Sequence, residues 1–198
     1  MALQASGQIR PSEIQTEFGG SGQFKIGDYY RGGAYVPDIP ANSGIPTSGQ
    51  IKPSDFYGAS AATVVTVTEG SYAAPTSSYG FANNGKIYDP VFDDMQTVGV
   101  IGSRTPTTLN GATIDCILYQ ANTKTPAYYF QVGLRGTRSL SFFTSVTPQG
   151  GSTLNTSSAT RVVRTSGGST TTYWYWSTSS GTPSGWDGSG TRTATFVV

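Results

Sequence analysis

The sequence predicts an all-β protein in two parts. An extended N-terminal arm with short helical turns occupies residues 1–60, and a β-sandwich of jelly-roll type follows over residues 61–198. Three observations predict this. A phrase opening on Ser-Gly-Gln recurs three times before residue 58, each time ahead of residues with helix-start chemistry. From about Ala61 the chain becomes a series of short runs rich in Val, Thr, Tyr and Phe, separated by Gly, Asn and Pro turns, as sandwich strands read. No long amphipathic pattern appears; the one brief helical stretch, residues 90–98, has no capping box.

The copies read SGQIRPSEI at Ser6–Ile14, SGQFKIGDYY at Ser21–Tyr30 and SGQIKPSDFY at Ser48–Tyr57. Their spacing is irregular, so they do not make a solenoid, which needs a fixed period and stacked neighbours. In the first copy Gly7 permits a turn, Ser12 stands as N-cap after Pro11, and Glu13 favours the helix dipole. Ile14 and Phe18 are four apart and share a face, and Gly19-Gly20 stops the helix. The third copy repeats the device with Ser54, Asp55, Phe56 and a stop at Gly58. Isolated helices shorter than about 12 residues are marginal in water. The apolar anchors Ile9, Ile14, Phe18, Phe24, Tyr29, Tyr30, Ile51, Phe56 and Tyr57 therefore need a partner surface. That surface is either the rest of the chain or another subunit, and the expectation is another subunit. Between the second and third copies, GGAYVPDIPANSGIPTSG reads as a linker whose path proline sets, anchored by Val36, Ile39 and Ile45.

The β-branched run AATVVTVTEG opens the second part. Strands are then expected near 98–101, 113–119, 127–133, 139–144, 161–165, 171–177 and 192–198. Alternation puts Tyr173 and Tyr175 on one face and Trp174 and Trp176 on the other, and sets Tyr128 and Phe130 opposite Tyr129. One aromatic set builds the core. The other needs cover from a neighbouring copy or stays exposed.

The chemistry offered is narrow. The chain has no histidine, which removes the commonest general base and metal ligand. Its single cysteine, Cys116, lies in the strand-like run TIDCILY and reads as a buried structural thiol. Residues 1–58 carry four basic and five acidic groups. The remainder carries eight and six (12 minus 4, 11 minus 5), so neither part is the basic patch that nucleic acid requires. Asp89, Asp93 and Asp94 form an acidic cluster without the alternating ligands of a calcium loop, and read as turn carboxylates. No pair of acids points to glycoside hydrolysis. The expectation is accordingly a non-enzyme with no cofactor and no metal. Tyr173, Trp174, Tyr175, Trp176 and Trp186 are candidate sugar or receptor contacts, because flat aromatic faces stack on pyranose rings; core packing is the competing reading. Arg135, Arg138, Arg161 and Arg164 serve either as interface rim charges or as a grip on an acidic glycan. No apolar run has the length of a signal peptide or of a membrane span, which is about 18 residues.

The pieces SGQI, IQTEFGG, YYRGG and SDFYGA together resemble the N-terminal segments of tailed-bacteriophage virion proteins, especially tail and tail-fibre components. The likeness covers about the first 60 residues. The order of aromatic strands after them, YYFQV, SFFTSV and YWYW, is similar more loosely to C-terminal domains of the same class. The resemblance implies an attachment segment docking on tail, neck or baseplate proteins, in a particle assembled in the host cytoplasm. It also implies an outward β-sandwich. Cover for the second aromatic faces calls for a homo-oligomer, a trimer by preference or a ring matched to tail symmetry. A receptor- or glycan-binding tail module and a capsid decoration protein are the alternatives.

Overall fold

A computed structural model describes residues 2–20, 22–38, 40–73, 76–83, 86–122, 126–181 and 183–197. Ser21 of the second copy, the expected linker anchor Ile39, and residues 84–85, 123–125 and 182 of the expected turns lie outside the described residues. The chain forms one compact unit up to Thr63 and another over Val64–Phe196.

The first unit corrects the expectation of an extended arm. Its described residues hold one helix, α1 (Pro11–Phe18), and three 3-10 turns at Ile26–Tyr29, Pro40–Asn42 and Pro53–Phe56. Ile9, Ile14, Phe18, Tyr29, Val36, Ile45, Phe56 and Ala59 are buried in a common core, with Leu3, Phe24, Ile26 and Ile51 packed against it. Short helices cannot bury their own apolar side chains, but several folded back on one another can. The supposed linker is part of this core: Val36 and Ile45 are both 0% exposed. Its proline path is fixed by polar clamps. Asn42 donates to the carbonyls of Pro37 (2.9 Å) and Ser60 (3.0 Å) and accepts from the Ser60 N–H (2.9 Å). Arg31 donates to the Ile45 carbonyl (3.1 Å) and pairs with Asp38 (2.6 Å). Glu17 accepts from the Ala61 N–H at 2.9 Å.

Among the described residues fourteen strands follow: β1 (Ala62–Thr68), β2 (Gly70–Tyr72), β3 (Ser77–Ala82), β4 (Lys86–Asp89), β5 (Asp94–Thr97), β6 (Ser103–Thr105), β7 (Thr108–Leu109), β8 (Ala112–Asn122), β9 (Ala127–Arg135), β10 (Ser145–Pro148), β11 (Leu154–Asn155), β12 (Thr160–Ser166), β13 (Ser169–Thr178) and β14 (Thr191–Val197). The protein is all-β apart from its first unit. One sheet runs β11-β10-β14-β1-β6 and a second runs β12-β13-β9-β8-β3-β2, with β7 added on β8. Strands β4 and β5 form a separate hairpin.

The alternation read in β13 is what packs the domain. Trp174 meets Phe143 at 5.1 Å between ring centroids, and Phe143 meets Phe196 of β14 at 5.3 Å, so rings from the two sheets share one core. On the opposite face of β13, Tyr173 and Tyr175 lie 5.9 and 5.6 Å from Tyr88 of the β4-β5 hairpin. That hairpin supplies cover expected from a neighbouring copy. It also replaces the helical stretch at 90–98. Asp89 turns the chain by accepting from the N–H groups of Val91 (2.9 Å) and Phe92 (3.4 Å), and Asp93 takes φ 52°.

Two expected strands are absent. At 98–101 only Ile101 bridges to Ala82. At 139–144 the chain turns, delivering Phe143 as a fully buried plug, and pairing begins at β10 instead.

Candidate functional site

From the glycine onward, the three Ser-Gly-Gln copies enter their helical turns along a similar backbone path. Each glycine has positive φ: 96° at Gly7, 82° at Gly22 and 85° at Gly49. The apolar residue two places on (Ile9, Phe24, Ile51) precedes an extended basic residue, Arg10, Lys25 or Lys52, which is the residue before the helical turn. Ser12 and Ser54 are thus not the N-caps. Pro11 and Pro53 take the first helical position, where a missing N–H costs nothing, and move the cap one residue earlier.

Arginine and lysine have no acceptor with which to cap a helix. The acid three residues later does the work in reverse: Glu13 accepts from the Arg10 N–H at 2.6 Å and Asp55 from the Lys52 N–H at 2.7 Å. The next residue, Ile14, Tyr29 or Phe56, is 1%, 2% or 0% exposed. It stands where a hydrophobic staple meets the apolar residue before the cap. In the second copy the pairing is explicit, with Phe24 and Tyr29 stacked at 5.1 Å.

The tenth residue of each copy links it to another. Gln15 of the first donates to the Gly22 carbonyl of the second at 3.4 Å. Tyr30 of the second donates to the Gly49 carbonyl of the third, and Tyr57 of the third donates to the Gly7 carbonyl of the first. The bonds run first to second, second to third and third to first. One chain thereby closes a three-membered ring of turns around the shared core.

Of the expected docking anchors, Ile9, Ile14, Phe18, Tyr29 and Phe56 are buried, Phe24, Ile51 and Tyr30 are half-buried, and Tyr57 is exposed. They meet one another, so they offer no row of apolar side chains to a partner. Burial also pushes the Tyr29 phenol up, and its hydroxyl donates to the Gly19 carbonyl at 2.8 Å. The ring leaves in solvent Gln8, Gln23 and Gln50 with Arg10, Lys25 and Lys52, beside the exposed rings of Tyr35 and Tyr57.

The expected sugar contacts are also interior. Tyr173, Trp174, Trp176 and Trp186 are at most 3% exposed and Tyr175 is half-buried. The indole N–H groups of Trp174, Trp176 and Trp186 donate to the carbonyls of Leu140 (3.3 Å), Asn155 (2.8 Å) and Gln149 (3.1 Å). A ring held on both sides presents no face to a pyranose. Cys116 is fully buried, and burial pushes its thiol well up. In the acidic cluster, Asp89 is engaged in its turn, while Asp93 pairs with Arg164 and accepts from Tyr88 at 2.7 Å. Those bonds hold the Asp93 carboxyl below its usual range.

The arginines read from sequence separate. Arg161 and Arg138 bond carbonyls at 2.6 and 2.9 Å, fastening loops. Arg135 and Arg164 instead line a polar recess of about 120 Å³ with Asn83, Asp115, Thr171 and Tyr173. Asp115 is taken up by Arg135 (2.7 and 3.2 Å) and Thr171 (2.8 Å). Residues that sequence reasoning missed are Gln15, Glu17, Arg31 and Asn42. Their available signal was polar side chains set among the buried positions of the first unit. Against known proteins, no family model, no curated protein and no solved structure matches the chain.

Proposed function

We propose that this protein is a structural component of a tailed-phage particle, docking through its N-terminal unit on tail, neck or baseplate proteins and presenting a jelly-roll-like β-sandwich outward. The observation that carries the reading is the threefold Ser-Gly-Gln phrase, which resembles attachment segments of virion proteins and builds one self-contained unit here. Such a unit docks as a preformed body rather than as an arm that orders on contact. The protein acts by binding rather than by catalysis; Asp89 is engaged in its turn, and Asp93 and Asp115 are engaged in ion pairs. Assembly takes place in the host cytoplasm. Particles produced with a chain starting at Ala61 should lack the protein while the β domain still folds. Normal incorporation of that chain sinks the docking assignment.

A second reading, a receptor- or glycan-binding tail module, is favoured by the recess rather than by the buried rings. Arg164 borders it, bonding the solvent-exposed Asp93 and, at 3.3 Å, the Val163 carbonyl, and an acidic saccharide can compete with that exposed carboxylate for its guanidinium. Loss of host adsorption by particles carrying Arg164→Gln would support this reading over pure assembly.

A further inference from the structure

The ring of turns constrains the symmetry of what it fits, and this inference rests on the docking reading above. A single chain ordinarily offers a partner one patch of each kind. Here it offers three equivalent ones: an exposed glutamine followed two residues later by an exposed cation, as Gln8 and Arg10, Gln23 and Lys25, Gln50 and Lys52. Each pair follows a left-handed glycine and precedes a buried staple residue, Ile14, Tyr29 or Phe56, and the three copies are joined head to tail by Gln15, Tyr30 and Tyr57. Among the described residues none of the three cations enters an ion pair. The helical turns that follow differ, Pro-Ser in the first and third copies and Ile-Gly in the second, yet in all three an extended cation precedes the turn.

We infer that the unit seats on the threefold axis of a homotrimeric partner. Each identical subunit receives one Ser-Gly-Gln turn and sets a carboxylate against its cation. A closed homotrimer repeats its surface three times around its axis. A binder with three matching patches engages all of them, the second and third contacts being effectively intramolecular. An asymmetric partner meets one turn and leaves two idle, and nothing in its recognition explains why three share one geometry.

The test uses the full chain in assembled particles. Arg10→Gln, Lys25→Gln and Lys52→Gln are made singly and together; the side chains are exposed, so thermal unfolding should be unchanged. Copies per particle are counted by quantitative mass spectrometry. The expected result is one chain per three partner subunits, similar partial losses from each single variant, and at least a tenfold loss from the triple variant. Loss confined to one variant overturns the threefold seat and leaves docking standing. Wild-type incorporation of the triple variant overturns the cation contacts and with them the inference. Normal incorporation of a chain starting at Ala61 overturns docking and inference together.

Discussion

The N-terminal unit and the β domain dispose of their backbone polar groups in opposite ways. In the domain, ladders do it: β8 pairs with β9 from Ile114 to Asn122, and β9 with β13 along eight residues of each. In the unit, side chains do it one at a time. Glu13 and Asp55 bond the N–H groups before their helical turns, Asn42 holds three backbone groups, and three side chains close the ring on glycine carbonyls. A ladder tolerates many side chains at a position because the backbone makes the bond. A cap depends on one side chain at one position. For that reason the unit's sequence repeats in detail while the domain's repeats only in texture.

The largest effect that tests this contrast is Phe56→Ala. Phe56 is fully buried and meets Phe18 at 6.2 Å. Truncating a buried phenylalanine costs about 3–5 kcal/mol. Hydrogen exchange should show the first unit losing protection while amides of β8 and β9 keep theirs. Equal loss in both would mean that the two regions unfold as one.

Next is Gly133→Ala in β9. An added Cβ would lie 2.7 Å from the Cys116 sulfur and 3.0 Å from the Tyr173 ring. Overpacking of this kind costs about 1–3 kcal/mol, read as a lower denaturation midpoint. An unchanged midpoint would show that the domain's core yields more readily than its ladders imply.

Third are Glu13→Ala and Asp55→Ala, each expected to cost about 1 kcal/mol through loss of the bond before the helical turn. Similar losses in chemical denaturation would establish that the copies are energetically as well as geometrically alike.

Smallest is Glu69→Gln, expected to act in the opposite direction. The Glu69 side chain is fully buried, with Arg192 Nε 3.7 Å away. Burial raises its carboxyl above the ordinary value, outweighing the pull of Arg192. A carboxyl raised in the fold contributes stability that is fully present below its unfolded pKa and is lost as pH rises through the folded value. Glu69→Gln should therefore raise Tm at about pH 7 and leave it nearly unchanged at about pH 3, below both values. A lower Tm at neutral pH would show that the Arg192 pair outweighs the cost of burial.

Much of this was legible in the sequence, and the rest fails for identifiable reasons. Period-two alternation placed Trp174 and Trp176 opposite Tyr173 and Tyr175, because a strand leaves a side chain no other choice. The stretch YDPVFDDM hid a hairpin, since its turn is made by Asp89 bonding forward and carries no hydrophobic period. The anchors of the first unit were found as apolar residues in need of cover. Their cover was not, because the link from copy to copy lies at the tenth position, where Gln15 stands in place of the tyrosine of the other two. The flat-ring sites failed on burial: alternation tells which rings share a face, not what lies over it.

The self-packed ring also has a calorimetric meaning. Since Ile14, Tyr29 and Phe56 are already out of water, the proposed docking through this unit would remove little apolar surface. Its binding enthalpy should vary only weakly with temperature. An arm that folded on its partner would instead show a large negative heat-capacity change. The heat taken up or released on association, followed over a few tens of degrees, would therefore distinguish a part that arrives finished from one that is completed on arrival.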